Sequence, residues 1–146
     1  MKPPHTPAWV RWLPAIMLML VIFIFSAIPD AGLQTQFSPD PVKIPNFGVA
    51  NRVVKKLGHL LIYALLARCY LYGLGKHDRR TRWIAFGLAV LYGISDEFHQ
   101  SFVPGRGAGP VDVFIDACGA WLALFLPKII KRRNKFESIN FQHTNE

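Results

Sequence analysis

Charge is scarce in this sequence. Asp, Glu, Lys and Arg make up 18% of its 146 residues against 51% hydrophobic, and a soluble domain of this size needs a richer polar surface to cover its core. Acids are scarcer still, nine against seventeen basic residues, for a formal charge of +8. Only two cysteines are present, Cys69 and Cys118, which excludes a disulfide scaffold; lying at different depths of different apolar runs, they are not expected to pair. There is no internal repeat and no glycine-rich nucleotide loop. The run Asp-Glu-Phe-His-Gln at 96–100 lacks the His-Glu-x-x-His spacing of zinc hydrolases, so the sequence marks no cofactor and no metal.

The basic residues that are present come in bursts between apolar runs. Lys76, Arg79, Arg80 and Arg82 share one short connector, and Lys128, Lys131, Arg132, Arg133 and Lys135 follow the last apolar stretch. A nucleic-acid binder would interleave its basic face with its own core; here charge is segregated from hydrophobicity along the chain. The expected partner is therefore a lipid bilayer, and no nucleic acid.

Four apolar stretches follow in order. Residues 9–28 carry an uncharged run, LPAIMLMLVIFIFSAI, behind a lip of Trp9, Arg11 and Trp12, and at about 20 residues suffice to cross a membrane. The prolines and acids from Pro29 to Pro45 then predict an irregular outer loop. Residues 57–74 form a second span, with His59 near its start and Arg68 within reach of an interface by snorkelling. Residues 83–103 are apolar through Ile94 and polar afterwards, until Pro104 and Gly105 break the helix. Residues 111–130 hold Asp112 and Asp116 near their start and end in Pro127 and the basic tail. The fold expected is all-α: a polytopic membrane protein, a bundle of about four transmembrane helices, with 131–146 as a basic cytoplasmic tail free to be disordered.

Basic connectors mark the cytoplasmic side. The 76–82 connector, the tail and the N-terminal Lys2 and Arg11 place both termini inside, against the contrary weight of Lys43, Arg52, Lys55 and Lys56 in the first outer loop. A competing reading makes the first run a cleaved signal peptide, but it is long and no Ala-x-Ala site follows it. On the four-span topology the polar ends of three spans emerge on the same, extracytoplasmic side. The second brings Lys56, His59 and Tyr63; the third brings Asp96, Glu97, His99 and Gln100; Arg106 comes from the loop; the fourth brings Asp112 and Asp116. Helical spacing sets His59 with Tyr63, Asp96 with Gln100, and Asp112 with Asp116 on shared faces. A carboxylate facing lipid is costly, so these groups are expected to turn inward and pair with Lys56, His59, His99 or Arg106. Taken singly, each has a plain structural explanation: Asp112 as a first-turn acid, His59 as an interhelical partner, the tyrosines as packing, and Gly87, Gly93, Gly119 and Ala120 as close helix contacts. Together they exceed what packing requires of so small a chain.

These residues also carry a resemblance. The segment from Tyr92 to Arg106, YGISDEFHQSFVPGR, resembles the centre of the VanZ-like family: a helix ending in an acidic pair, a nearby Gln and a Pro-Gly-Arg turn. DVFIDACGA, with Asp112 and Asp116, is similar to that family's final helix, and KLGHLLIYALLA, with Lys56, His59 and Tyr63, to its second. The likeness spans roughly 15–127 and implies a VanZ-like transmembrane domain over 1–130. Lys55 departs from it, since an acid is expected beside the Lys, so the charge partner for Lys56 is either missing or supplied by another helix. The family is named for an accessory protein that affects teicoplanin susceptibility, which implies an envelope accessory or ligand-binding protein of the cell membrane. The same groups also suit an enzyme on a lipid-linked or peptidoglycan-related substrate, with Asp96, Glu97, His59 and His99 as acid, base or ligand and Arg106 gripping a phosphate or carboxylate. A small oligomeric transporter is a third reading.

Overall fold

The computed structural model describes residues 7–29, 47–107 and 109–143. After a 3-10 turn, Val10–Trp12, the chain forms α1 (Leu13–Ser26), α2 (Phe47–Leu74), α3 (Arg79–Gln100) and α4 (Pro110–His143), and no strand occurs among the described residues. Of the expected first outer loop, residues 30–46, with Lys43, lie outside the described residues.

Side-chain contacts set the helix directions. The Trp12 ring lies beside Tyr70 near the end of α2, while Ser26, at the end of α1, reaches Asp96 near the end of α3. Lys56 on α2 meets Asp112 at the start of α4. Neighbouring helices in the chain therefore alternate in direction. α2 is central: it packs most extensively against α4, then α3, and also carries α1, which rests on α2 and α3. Tyr92 donates to the Met19 carbonyl at 2.6 Å, so α1 is built into the bundle and not merely beside it.

The core is narrow, running through Ala15, Tyr63, Leu66, Ala67, Ala85, Ala89 and Ala120, with small side chains letting helices approach. Large apolar side chains left exposed outnumber those buried, among them Ile16, Leu20, Leu61, Leu65, Leu91 and Phe114. That inversion suits a lipid surround. Two helices are long and apolar enough to cross a membrane, Val53–Leu74 and Pro110–Pro127, while Val10–Ser26 is apolar but shorter. The described residues are therefore all-helical, with two candidate spans among them by length and composition; the polar end of α3 keeps it below the same measure.

Local chemistry explains the helix ends. Asp78 caps α3 by accepting the Thr81 amide at 2.7 Å, and hydrogen bonds from Thr81, side chain first and backbone amide second, hold its carboxyl below the ordinary value. Past α3, Val103 accepts from the Arg106 amide at 3.2 Å across Pro104 and Gly105, whose φ of 78° only glycine adopts readily; Pro then Gly is the pattern of a type II turn.

Several boundaries differ from the sequence reading. α2 begins at Phe47, so Arg52, Lys55 and Lys56 stand on a helix and not in the outer loop. Arg79, Arg80 and Arg82 belong to the first turn of α3, leaving Lys76 in the connector. Pro127 lies inside α4, because a proline removes one amide hydrogen bond without having to end a helix, and the basic tail continues as helix to His143. Gly87 faces open space and not a neighbouring helix, whereas a Cβ on Gly119 would overlap the Leu60 carbonyl. Cys69 and Cys118 are free thiols.

Because α2 and α4 approach backbone to backbone at Gly119 and Leu60, Gly119→Leu is expected to force them apart and cost roughly 1–3 kcal/mol. Thermal unfolding of the purified protein in detergent checks this, with Gly87→Leu staying near the unmodified value.

Candidate functional site

Helical periodicity places the polar residues before any tertiary contact forms. On α2, positions 56, 59 and 63 share one face; on α4, positions 112, 116 and 119 share another; on α3, positions 93, 96, 97 and 100 do the same. Where these faces meet, at the end of the bundle away from the 76–82 basic segment, three linked arrangements form.

The first centres on Asp96, 4% exposed. Its Oδ1 accepts from the Ser26 hydroxyl at 2.5 Å, and its Oδ2 accepts from Gln100 Nε2 at 2.9 Å and from Tyr63 OH at 3.3 Å. One carboxyl thus ties α1, α2 and α3 together. In the second, Lys56 Nζ meets Asp112 Oδ1 at 2.7 Å. This supplies from α4 the charge partner that Lys55 does not provide. In the third, His59 Nδ1 lies 3.2 Å from Asp116 Oδ1, with the imidazole nearly parallel to the Tyr63 ring at 6.4 Å. Asp116 is 1% exposed.

Glu97 completes the group from α3. The Gly109 amide donates to its Oε2 at 2.9 Å, fastening the loop before α4. Its Oε1, like Asp116 Oδ2, is buried with no hydrogen-bond partner among the described residues. One ligand-type atom each from His59, Glu97 and Asp116 lies within 4.8 Å of the other two. The sequence reading found no metal pattern because these three come from three helices, far apart in the chain, and no local spacing announces them.

Two sequence expectations are relocated. Arg106, expected to grip an anion, turns its guanidinium onto the end of α1: Nε donates to the Ile28 carbonyl at 3.1 Å and a terminal nitrogen donates to the Phe25 carbonyl. It satisfies carbonyls that a helix C-terminus leaves unpaired. His99 stands apart from the polar group, stacked on Phe23 with ring centroids 4.5 Å apart. Its i+3 spacing from Asp96 is offset from the face that carries Asp96 and Gln100. Ser26 was missed as a site residue; a lone hydroxyl closing an apolar run has no signal until Asp96 is seen opposite it.

Beside these groups lies a cavity of about 380 Å³, with Ile22 and Phe25 of α1 on one wall and His59, Tyr63, Asp96 and Gln100 on another. A second, of about 290 Å³, is bordered by Lys56, His59, Gln100, Arg106 and Asp112. Lys55 lines both.

A family model described as VanZ/LLP1 matches residues 11–131. The chain belongs to the VanZ/LLP1 family. Comparison with curated proteins and with solved structures gives no match. The match covers all the groups just described, from Ser26 to Asp116.

Removing the acceptor common to Ser26, Tyr63 and Gln100 strands three donors. Asp96→Ala is therefore expected to cost about 2–4 kcal/mol, whereas Ser26→Ala costs about 0.5–1.5 kcal/mol, as interhelical hydrogen bonds in membranes do. Unfolding in detergent or mixed micelles reads both; equal effects would show that Asp96 is not the shared centre.

Proposed function

We propose that this member of the VanZ/LLP1 family is a multi-pass protein of the cell membrane, with both termini cytoplasmic and the polar cavities on the extracytoplasmic side. Its role is to bind an amphipathic or lipid-linked envelope molecule, as an accessory protein linked to glycopeptide susceptibility of the teicoplanin type. The observation that carries this is the two-sided cavity between α1, α2 and α3. An acyl or other apolar portion matches Ile22 and Phe25, and a polar or anionic head matches the wall of His59 and Gln100 with Lys55 at its border, while Lys56 borders the second cavity. A cavity with one apolar and one polar wall suits an amphipathic ligand.

The topology rests on charge placement. Arg11, Lys76, Arg79 and Arg80 stand at the end opposite the acid-bearing one, in keeping with the inward preference of short basic segments. A reporter enzyme that is active only outside the cytoplasm is expected to be silent when fused after Asp78 and active when inserted next to Gly107; the reverse pattern overturns the orientation.

A second reading, an enzyme acting on a lipid-linked or peptidoglycan-related substrate, is favoured by the buried unpartnered oxygens of Glu97 and Asp116 beside His59. Glu97→Gln and Asp112→Asn separate the two. With protein level held equal by immunoblot, each variant is expected to lose at least half of the susceptibility change, while the unmodified protein releases no product from labelled lipid-linked precursors. Product formation supports catalysis; an unchanged phenotype in both variants removes this polar group from the function.

A further inference from the structure

We propose that His59, Glu97 and Asp116 bind a divalent transition-metal ion where α2, α3 and α4 meet, behind the His59 ring that lines both cavities. The three side chains come from α2, α3 and α4, yet offer ligand atoms within 4.8 Å of one another. Two ligand atoms on a tetrahedral ion with bonds of about 2.0 Å sit about 3.3 Å apart. The 3.2 Å between His59 Nδ1 and Asp116 Oδ1 equals that separation as well as a hydrogen bond.

Polar satisfaction argues the same way. Buried carboxylate oxygens in folded proteins are nearly always partnered. Glu97 is 7% exposed and Asp116 1%, and each keeps one oxygen without a partner among the described residues. The surrounding groups are already engaged: Lys56 with Asp112, and Asp96 with Ser26, Tyr63 and Gln100. Arg106 faces the carbonyls of α1, and Lys55 lies along the cavities. Two buried carboxyls beside a single imidazole are thus matched by a doubly charged cation.

The donor set selects the class of ion. One imidazole nitrogen and two carboxylate oxygens suit Zn²⁺, Mn²⁺ or Fe²⁺ rather than Ca²⁺ or Mg²⁺, which take oxygen ligands alone. The supports are in place as well: Gly109 holds Glu97 through its other oxygen, and the Tyr63 ring lies parallel to the imidazole. His59 keeps 24% of its side chain exposed and lines both cavities, which puts the proposed ion next to the space a ligand would occupy.

The test is metal binding by the full chain in detergent, tag removed and stripped with chelator, with Zn²⁺ and Mn²⁺ titrated separately and Co²⁺ used as a spectroscopic substitute. The expected result is one equivalent per chain for at least one of these ions, with Co²⁺ giving the visible bands of nitrogen and oxygen coordination. His59→Ala, Glu97→Gln and Asp116→Asn should each weaken binding by at least about 100-fold, since each removes a direct ligand. His99→Ala should leave it unchanged. Glu97→Gln retains an acceptor for Gly109 and so tests the site without undoing the loop. The Co²⁺ spectrum reads the site with no substitution at all. Absence of saturable binding by the folded unmodified chain, or binding that survives Glu97→Gln, overturns the proposal. Neither result bears on the susceptibility measurements, which need no metal titration.

Discussion

Apolar surroundings give a carboxylate no solvent partner, and the rest of this structure depends on that constraint. Asp96 is held by donors from α1, α2 and α3, and Asp112 and Asp116 bind α4 to α2 through Lys56 and His59. Each helix-to-helix attachment at this end of the bundle is therefore also a means of sheltering a charge or a polar atom. Apolar packing alone could not set the register, because the exposed Ile, Leu and Phe of these helices fit lipid as well as they fit one another. The polar contacts do set it, with small residues such as Ala85, Ala89 and Gly119 allowing the approach.

The molecule is divided along its length. One end carries Arg11, Lys76 and the first turn of α3, with Asp78 capping that helix. The other carries the acids, and its single loop arginine is turned back onto helix carbonyls. The division gives the bundle an electrostatic direction and leaves the cavities where acids, His59 and the α2 lysines meet.

Arg106 shows how much of a residue's part in a structure is set by its surroundings. A Pro-Gly-Arg turn beside acidic residues has the look of an anion grip, but the open end of α1 offers carbonyls that need donors, and the type II turn aims the guanidinium at them. The arginine holds the rim of the cavity by holding α1. His99 makes the same point from the other side: three residues from Asp96, it rotates away from the Asp96–Gln100 face and packs on Phe23.

Much of this was legible in the chain itself. Period and apolar run length determined an all-helical fold, and the i, i+3, i+4 spacing put Asp96 with Gln100 and Asp112 with Asp116 on common faces, because helical geometry is local and travels with the sequence. The YGISDEFHQSFVPGR and DVFIDACGA segments carried the family for the same local reason. Helix ends were less legible: α2 starts ten residues before Leu57 and α4 runs through Pro127, where polar residues or a proline weaken the local signal for a helix without forbidding one. Only the tertiary structure decided which acid meets which base, that Ser26 belongs to the site, and that His59, Glu97 and Asp116 converge. Those pairings depend on how three helices rotate and slide against one another, and that is a balance of contacts between segments that no single segment contains.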